Sequence, residues 1–224
     1  MTVAVLLAHG SPDPRSQASV LQAAADVAAR SGIAVRAAFL DHDPRDLATA
    51  VAALDPSDDV VVLPLLLSTA FHARVDVPAA VATLDREVHL LEPVGHPPAL
   101  LDDLLRRSGR PAVVVAAGTR VDDERQAFAR AVSAASTRTR IPAVAAYATG
   151  PGRRLEGATR PGGAAIVPWL LAPGRLLDAV REAATVHDCR VVGDGLLSEP
   201  LLLDELAARV TAARVATGNG VAGD

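Results

Sequence analysis

The 224-residue sequence has one cysteine, one tryptophan, one tyrosine, three phenylalanines and no lysine. A single thiol, Cys189, cannot close an intramolecular disulfide, and a cytoplasmic location is the default that follows. Without lysine, all 22 basic residues are arginine, which reads first as the mark of a GC-rich genome. So few aromatics, with a formal net charge of −4, argue against nucleic-acid binding, which calls for a basic face and stacking platforms. No apolar run approaches the ~20 residues of a membrane span. The longest, around Val60 to Ala73, is broken by Pro64 and by polar residues, so no membrane association is expected. The chain enters Val3–Ala8 with no basic n-region and no small-residue cleavage site, so no secretory signal is expected. A Walker loop and a Gly-x-Ser-x-Gly elbow are also missing, which leaves nucleotide chemistry and serine hydrolysis without support.

What is present is an apolar half suited to a sizeable core. Residues 1–106 carry 7 Arg against 14 acids and residues 107–224 carry 15 against 12, so an anionic small molecule would find its cations in the second half. Short apolar runs alternate with stretches of helical period, the pattern of βα units around a parallel sheet. Strands are expected near 3–8, 33–40, 59–67 and 87–92, and helices near 16–30, 44–54, 74–85 and 98–107. Pro64, which withholds a ladder donor, marks where the third strand stops being regular. The plan then repeats. Val113 to Arg120 aligns with Val5 to Ser11, Val167-Pro168-Trp169-Leu170-Leu171 with Leu63-Pro64-Leu65-Leu66-Leu67, and Glu199 to Leu206 with Pro97 to Leu104. Three matched segments in one order imply duplication. The fold class is α/β, with two tandem doubly wound parallel-sheet domains. The expected limits are 1–107 and 111–215, joined at residues 107–110, followed by a flexible tail over 216–224.

His9 directly follows the first strand, and His72 lies just past the third. In a doubly wound half-domain of order 2-1-3-4 those strands are neighbours, and the crevice at their carboxyl ends is the topological switch point. An imidazole there can serve as general base, nucleophile or metal ligand. The Arg that would precede His9 in a histidine phosphatase is Ala8. Structural or hydrolytic zinc takes three or four protein ligands, and two suit a metal that is to be handed on.

Ala8-His9-Gly10-Ser11-x-Asp13-Pro14-Arg15, with Pro64-Leu65-Leu66-Leu67 leading to His72, Asp76 and Pro78, resembles the signature segments of the class II chelatases, the CbiX/SirB sirohydrochlorin chelatase family. The resemblance spans the chain as two fused chelatase-like half-domains. It implies a nucleotide-independent enzyme that inserts Co²⁺ or Fe²⁺, or Ni²⁺, into sirohydrochlorin in siroheme or cobalamin biosynthesis. His9 and His72 would bind the metal and accept pyrrole protons. Two departures bear on which tetrapyrrole fits: Ala70 stands where the family commonly has Gly, and Pro12 where it has Arg. A tetrapyrrole or metal carrier without turnover, and a chelatase for another macrocycle such as coproporphyrin, are the alternatives.

The second half has Ala117 in place of His9, and Ala172 to Leu177 replaces the His72 segment without a histidine, so one site per chain is expected. Ser11, Arg15, Arg153 and Arg154 are candidates for an acidic macrocycle, within a wider set that includes Arg138, Arg140, Arg160 and Arg175. A solvated arginine face is the competing reading. Asp76 is a candidate to orient His72. His96 has an expected helix-entry role, and His42 with Asp41 and Asp43 reads as a solvated turn. His89 and His187 are read as structural, and Trp169 and Cys189 as core. The expected partner is an anionic tetrapyrrole bound by a monomer or weak homodimer.

Overall fold

The structure, a computed structural model, describes residues 1–68, 72–152, 154–155 and 163–218, without the side chains of 72, 73 and 216–218. The first repeat runs β1 (Thr2–Ala8), α1 (Pro14–Ser31), β2 (Ala34–Phe39), α2 (Leu47–Ala52) and β3 (Asp59–Leu65). A π-helical turn (His72–Asp76) then leads into α3 (Val77–Ala82), β4 (His89–Leu90) and α4 (Pro98–Ser108). The second repeat runs β5 (Ala112–Ala116), α5 (Asp122–Thr139), β6 (Ala143–Tyr147), β7 (Ala165–Trp169), α6 (Arg175–Val186), β8 (Arg190–Val191) and α7 (Pro200–Gly218). Two parallel four-stranded sheets result, ordered β2-β1-β3-β4 and β6-β5-β7-β8. This is the doubly wound order expected from the alternation, present twice.

The central strands are apolar on both faces because helices cover both. Val3 to Ala8 and Val60 to Val62 are buried along the first sheet, and Ala112 to Val115 along the second. Pro64 does not end the ladder: it pairs with Leu7 inside β3, which continues to Leu65, and Pro168 sits opposite Val115 in β7. Helix α1 begins where it does because Asp13 accepts a hydrogen bond from the Arg15 amide at 3.0 Å and Pro14 takes the first turn. It ends at Gly32 in the left-handed conformation and buries Val20, Ala23, Ala24 and Val27, one face of a 3.6-residue period.

The compact units do not follow the repeats. One comprises Met1–Gly95 together with the chain from Pro200, and the other His96–Glu199. Helix α7 packs on α1 and β3 in the first unit, while α4 packs on α5 and β7 in the second. Each repeat thus gives its last helix to the other's sheet. The limits 1–107 and 111–215 are corrected accordingly: the apolar stripe Leu100, Leu101, Leu104, Leu105 is buried in the second unit, and Leu202, Leu203, Leu206, Val210 in the first. The expected tail from 216 is also corrected, since α7 runs to Gly218; residues 219–224 lie outside the described residues.

Equivalent ion pairs hold both exchanged helices. Asp204 of α7 accepts from Arg30 of α1 at 2.9 Å, and Asp102 of α4 accepts from Arg138 of α5 at 2.7 to 3.1 Å. Arg138, a candidate for substrate binding, is therefore committed to the nine-tenths-buried Asp102, whose carboxylate raises the Arg138 pKa. Arg140 caps the same helix in the left-handed conformation. Because α5 runs antiparallel to the strands, its C-terminus lies at the amino-terminal edge of the sheet, away from the loops where a doubly wound sheet binds ligands. Both arginines are corrected to structural positions.

Candidate functional site

Strands β1 and β3 are in direct register, Ala8 opposite Leu65, so His9 leaves one carboxyl end and the segment toward His72 leaves the adjacent one. This is the switch point, since β2 lies on one side of β1 and β3 on the other. His9 is half-buried, with its Nδ1 shielded from solvent. Its backbone is fixed by an extension of the β1–β2 ladder, in which the Leu40 amide donates to Ala8 O and the Asp41 amide to His9 O, each at 2.9 Å.

Gly10 makes that extension feasible. Its φ is +97°, and a Cβ there would stand 1.9 Å from the carbonyl oxygen of Asp41. No side chain fits such an approach. The second unit repeats the arrangement without the imidazole: Thr149 donates to Ala117 O at 2.8 Å, and Gly118, at φ +119°, would place a Cβ 2.1 Å from Thr149 O. The backbone cradle is kept in both repeats and the histidine in only one.

Past Gly10 the loop is held by its own polar atoms. Ser11 Oγ accepts from the Asp13 amide at 3.1 Å. Asp13 in turn accepts from Arg15 Nε at 3.0 Å and from a terminal guanidinium nitrogen at 2.7 Å. Gln17 Nε2 donates to Ser11 O at 3.3 Å and His42 O at 3.0 Å, tying the β1 loop to the β2 loop. His42 has a φ of +62° and lies with Asp41 on this exposed turn; Asp43 pairs with Arg45, whose hydrogen bond holds the Asp43 carboxyl below the usual carboxylate range. Asp41 and His42 are solvated as expected of a turn, whereas the Asp43 carboxylate is buried against Arg45. No group of three or more potential metal ligands occurs among the described residues.

His72 opens the π-helical turn that runs through Asp76 into α3. Such turns are rare and concentrate at functional sites, because the wider helix re-aims the residues at its start. The His72 side chain and residues 69–71, including Ala70, lie outside the described residues. In the second unit Arg154 bridges to Tyr147 at the end of β6, and Arg175 opens α6, so both stand at the carboxyl-end edge; Arg153 and Arg160 lie outside the described residues.

Sequence reasoning missed what His96 does. Its Nδ1 accepts from Trp169 Nε1 at 3.0 Å, and its ring centroid lies 5.3 Å from that of Phe128, itself 5.8 Å from Tyr147. An indole N–H only donates, so Nδ1 must be unprotonated. Burial holds the His96 pKa below its ordinary 6.5, against an opposite pull from Glu124. The unfolded chain therefore takes up a proton near 6.5 that the folded unit resists, so this contribution to stability is complete above that value and falls as pH drops below it. The urea midpoint followed by the emission of Trp169, the sole tryptophan, is expected to fall between about pH 7 and pH 5. His96→Gln should flatten that dependence, and an unchanged slope would refute it. Trp169 is core as expected, whereas Cys189 is only half-buried.

Comparison with known proteins gives three findings. Residues 3–110 match the family model described as CbiX. No curated protein matches. Among solved structures, SirB from Bacillus subtilis with Fe3+ superposes with a TM-score of 0.77 at 18% identity, covering 96% of this chain and 97% of that one. CbiX, described as the terminal enzyme for biosynthesis of siroheme in denitrifying bacteria, gives 0.72 at 22% identity, covering 95% and 99%. SirB from Bacillus subtilis subspecies spizizenii in complex with cobalt gives 0.69 at 16% identity, covering 98% and 97%. The His9 cradle and the His72 turn both fall inside residues 3–110, the just under half of this chain that is similar to the CbiX family.

Proposed function

We propose that the protein inserts a divalent metal, Co²⁺ or Fe²⁺, into sirohydrochlorin, in siroheme or cobalamin biosynthesis, without a nucleotide. One observation carries the reading: His9 and the His72 turn emerge from the carboxyl ends of adjacent strands, within the residues that match the CbiX family. Neutral imidazoles can hold the incoming ion while leaving coordination positions for the pyrrole nitrogens. Two pyrrole protons must leave as the metal enters, and an imidazole released from the metal is an acceptor suited to neutral pH.

Ser11 and Arg15 stand on the loop that follows His9, and we assign them to the carboxylates of the macrocycle. Arg153 and Arg154 are assigned the same chemistry on charge alone. The active species in this reading is a monomer or weak homodimer.

The test mixes sirohydrochlorin and Co²⁺ with catalytic amounts of protein and follows the macrocycle's absorption. Many turnovers per chain are expected. A change that stops at one equivalent would replace the enzyme with a carrier, and turnover of a coproporphyrin instead would move the substrate to another macrocycle. Parallel rates with Fe²⁺ and Ni²⁺ would rank the metals.

A further inference from the structure

Helix α7 comes from the second repeat, yet one of its side chains holds a segment that borders the end of β3. Arg209 donates to three consecutive backbone carbonyls after β4: Glu92 at 3.5 Å, Pro93 at 3.0 Å and Val94 at 3.3 Å. Its guanidinium is aimed by Glu205, one helical turn earlier, at 2.5 Å. The same segment faces β3 with its amides. Leu91 donates to Val62 O at 2.8 Å, Val94 to Pro64 O at 3.2 Å and Gly95 to Leu66 O at 2.9 Å. The last two bonds continue the ladder past the end of β4, as far as Leu66, six residues before His72.

Pro64 sharpens the dependence. Proline has no amide hydrogen, so within this stretch β3 is held on the β4 side largely through its carbonyls, and those take the amides of 94 and 95. A guanidinium with five donors in a fixed fork can hold three carbonyls in one geometry, whereas an ammonium cannot. The equivalent arginine of α4, Arg107, instead pairs with the buried Glu199 at 2.5 Å. The carbonyl clamp thus exists in the unit that has His9 and His72.

We infer that Arg209, a residue of the second repeat, is a positioning residue for the His72 segment of the first. It acts through the 92–95 backbone and the end of β3. The inference rests on the proposed role of His72 in metal binding. It gives the second repeat a part in the first repeat's site that requires none of its own loops.

The test uses the full chain with Arg209→Met, Arg209→Lys and, as a control, Val210→Ala, which trims a fully buried neighbour on the same helix. In Arg209→Met, hydrogen exchange at the amides of 94 and 95 should quicken by about tenfold or more. The KM for Co²⁺ should rise by about tenfold, the low end of the loss seen when a group supporting a metal ligand is removed. kcat should stay within about twofold, since the substitution touches no reacting atom. Arg209→Lys should fall between Met and wild type. Val210→Ala should lower the melting temperature without either local effect. If Arg209→Met changes exchange and KM no more than Val210→Ala does, the positioning role is overturned. Should the wild-type chain turn over no metal, the proposed function fails separately, and the exchange rates at 94 and 95 still decide whether the clamp exists.

Discussion

Replacing His9 or His72 with alanine is expected to lower the rate of metal insertion by at least about 10²-fold, the low end of what a lost proton acceptor removes. Loss of a metal ligand adds to that. His9 stands on the loop after β1 and His72 opens the π-helical turn after β3, both outside the strand ladders of the first sheet, so circular dichroism and the melting temperature should stay close to wild type. The natural controls are His42→Ala and His89→Ala, on an exposed turn and an exposed edge strand. Both should retain activity. Wild-type turnover in His9→Ala or His72→Ala would end the assignment, whatever the fold similarity.

The second large effect is expected from a single methyl group. Gly10→Ala forces a side chain into a φ of +97° and a Cβ into contact with the Asp41 carbonyl. Neither strain relaxes without moving the β1–β2 loop pair, at a cost of about 3 kcal/mol or more. For a chain of this size that is a fall of roughly 6–12 °C in melting temperature. Gly118→Ala meets the same obstacle against Thr149 and should lose comparable stability. Only Gly10→Ala displaces His9, and a misplacement near 1 Å is enough to reduce the rate by about 10²-fold. Gly118→Ala should stay within about twofold of wild-type turnover, because the loop it strains follows β5 and carries Ala117 where the first repeat has His9. Equal activity losses in the two variants would show that global instability, and not the cradle around His9, sets the rate.

Much of this was legible in the chain. Continuous apolar strands alternating with amphipathic helices fixed the parallel sheets, and the matched segments fixed their duplication. The order 2-1-3-4, with His9 and His72 past neighbouring strands, then located the candidate site. The structure adds the reason for Gly10 and the π-helical turn at His72, neither of which has a period to detect. The helix exchange was not legible either. Leu100, Leu101, Leu104 and Leu105 form the same stripe as Leu202, Leu203, Leu206 and its neighbours, and a hydrophobic stripe says that a helix packs, not on which sheet. One signal was available. Asp102 and Asp204 recur in register, as do Arg30 and Arg138, so a repeated pairing between first and last helices could have been drawn. Reading Arg138 and Arg140 as substrate cations failed because net charge per half ignores which edge of a sheet a helix end reaches.

Duplication and folding are out of phase by one helix. A gene fragment ending at residue 110 would encode about four fifths of the first unit and a final helix shaped for another body. Two such fragments could complete each other only by trading tails, at a rate and extent set by their concentration. Fusing the copies makes that encounter unimolecular. It also makes the cleanest miniature of the unit with His9 and His72 one in which residues 96–199 are excised and a short linker joins Gly95 to Pro200.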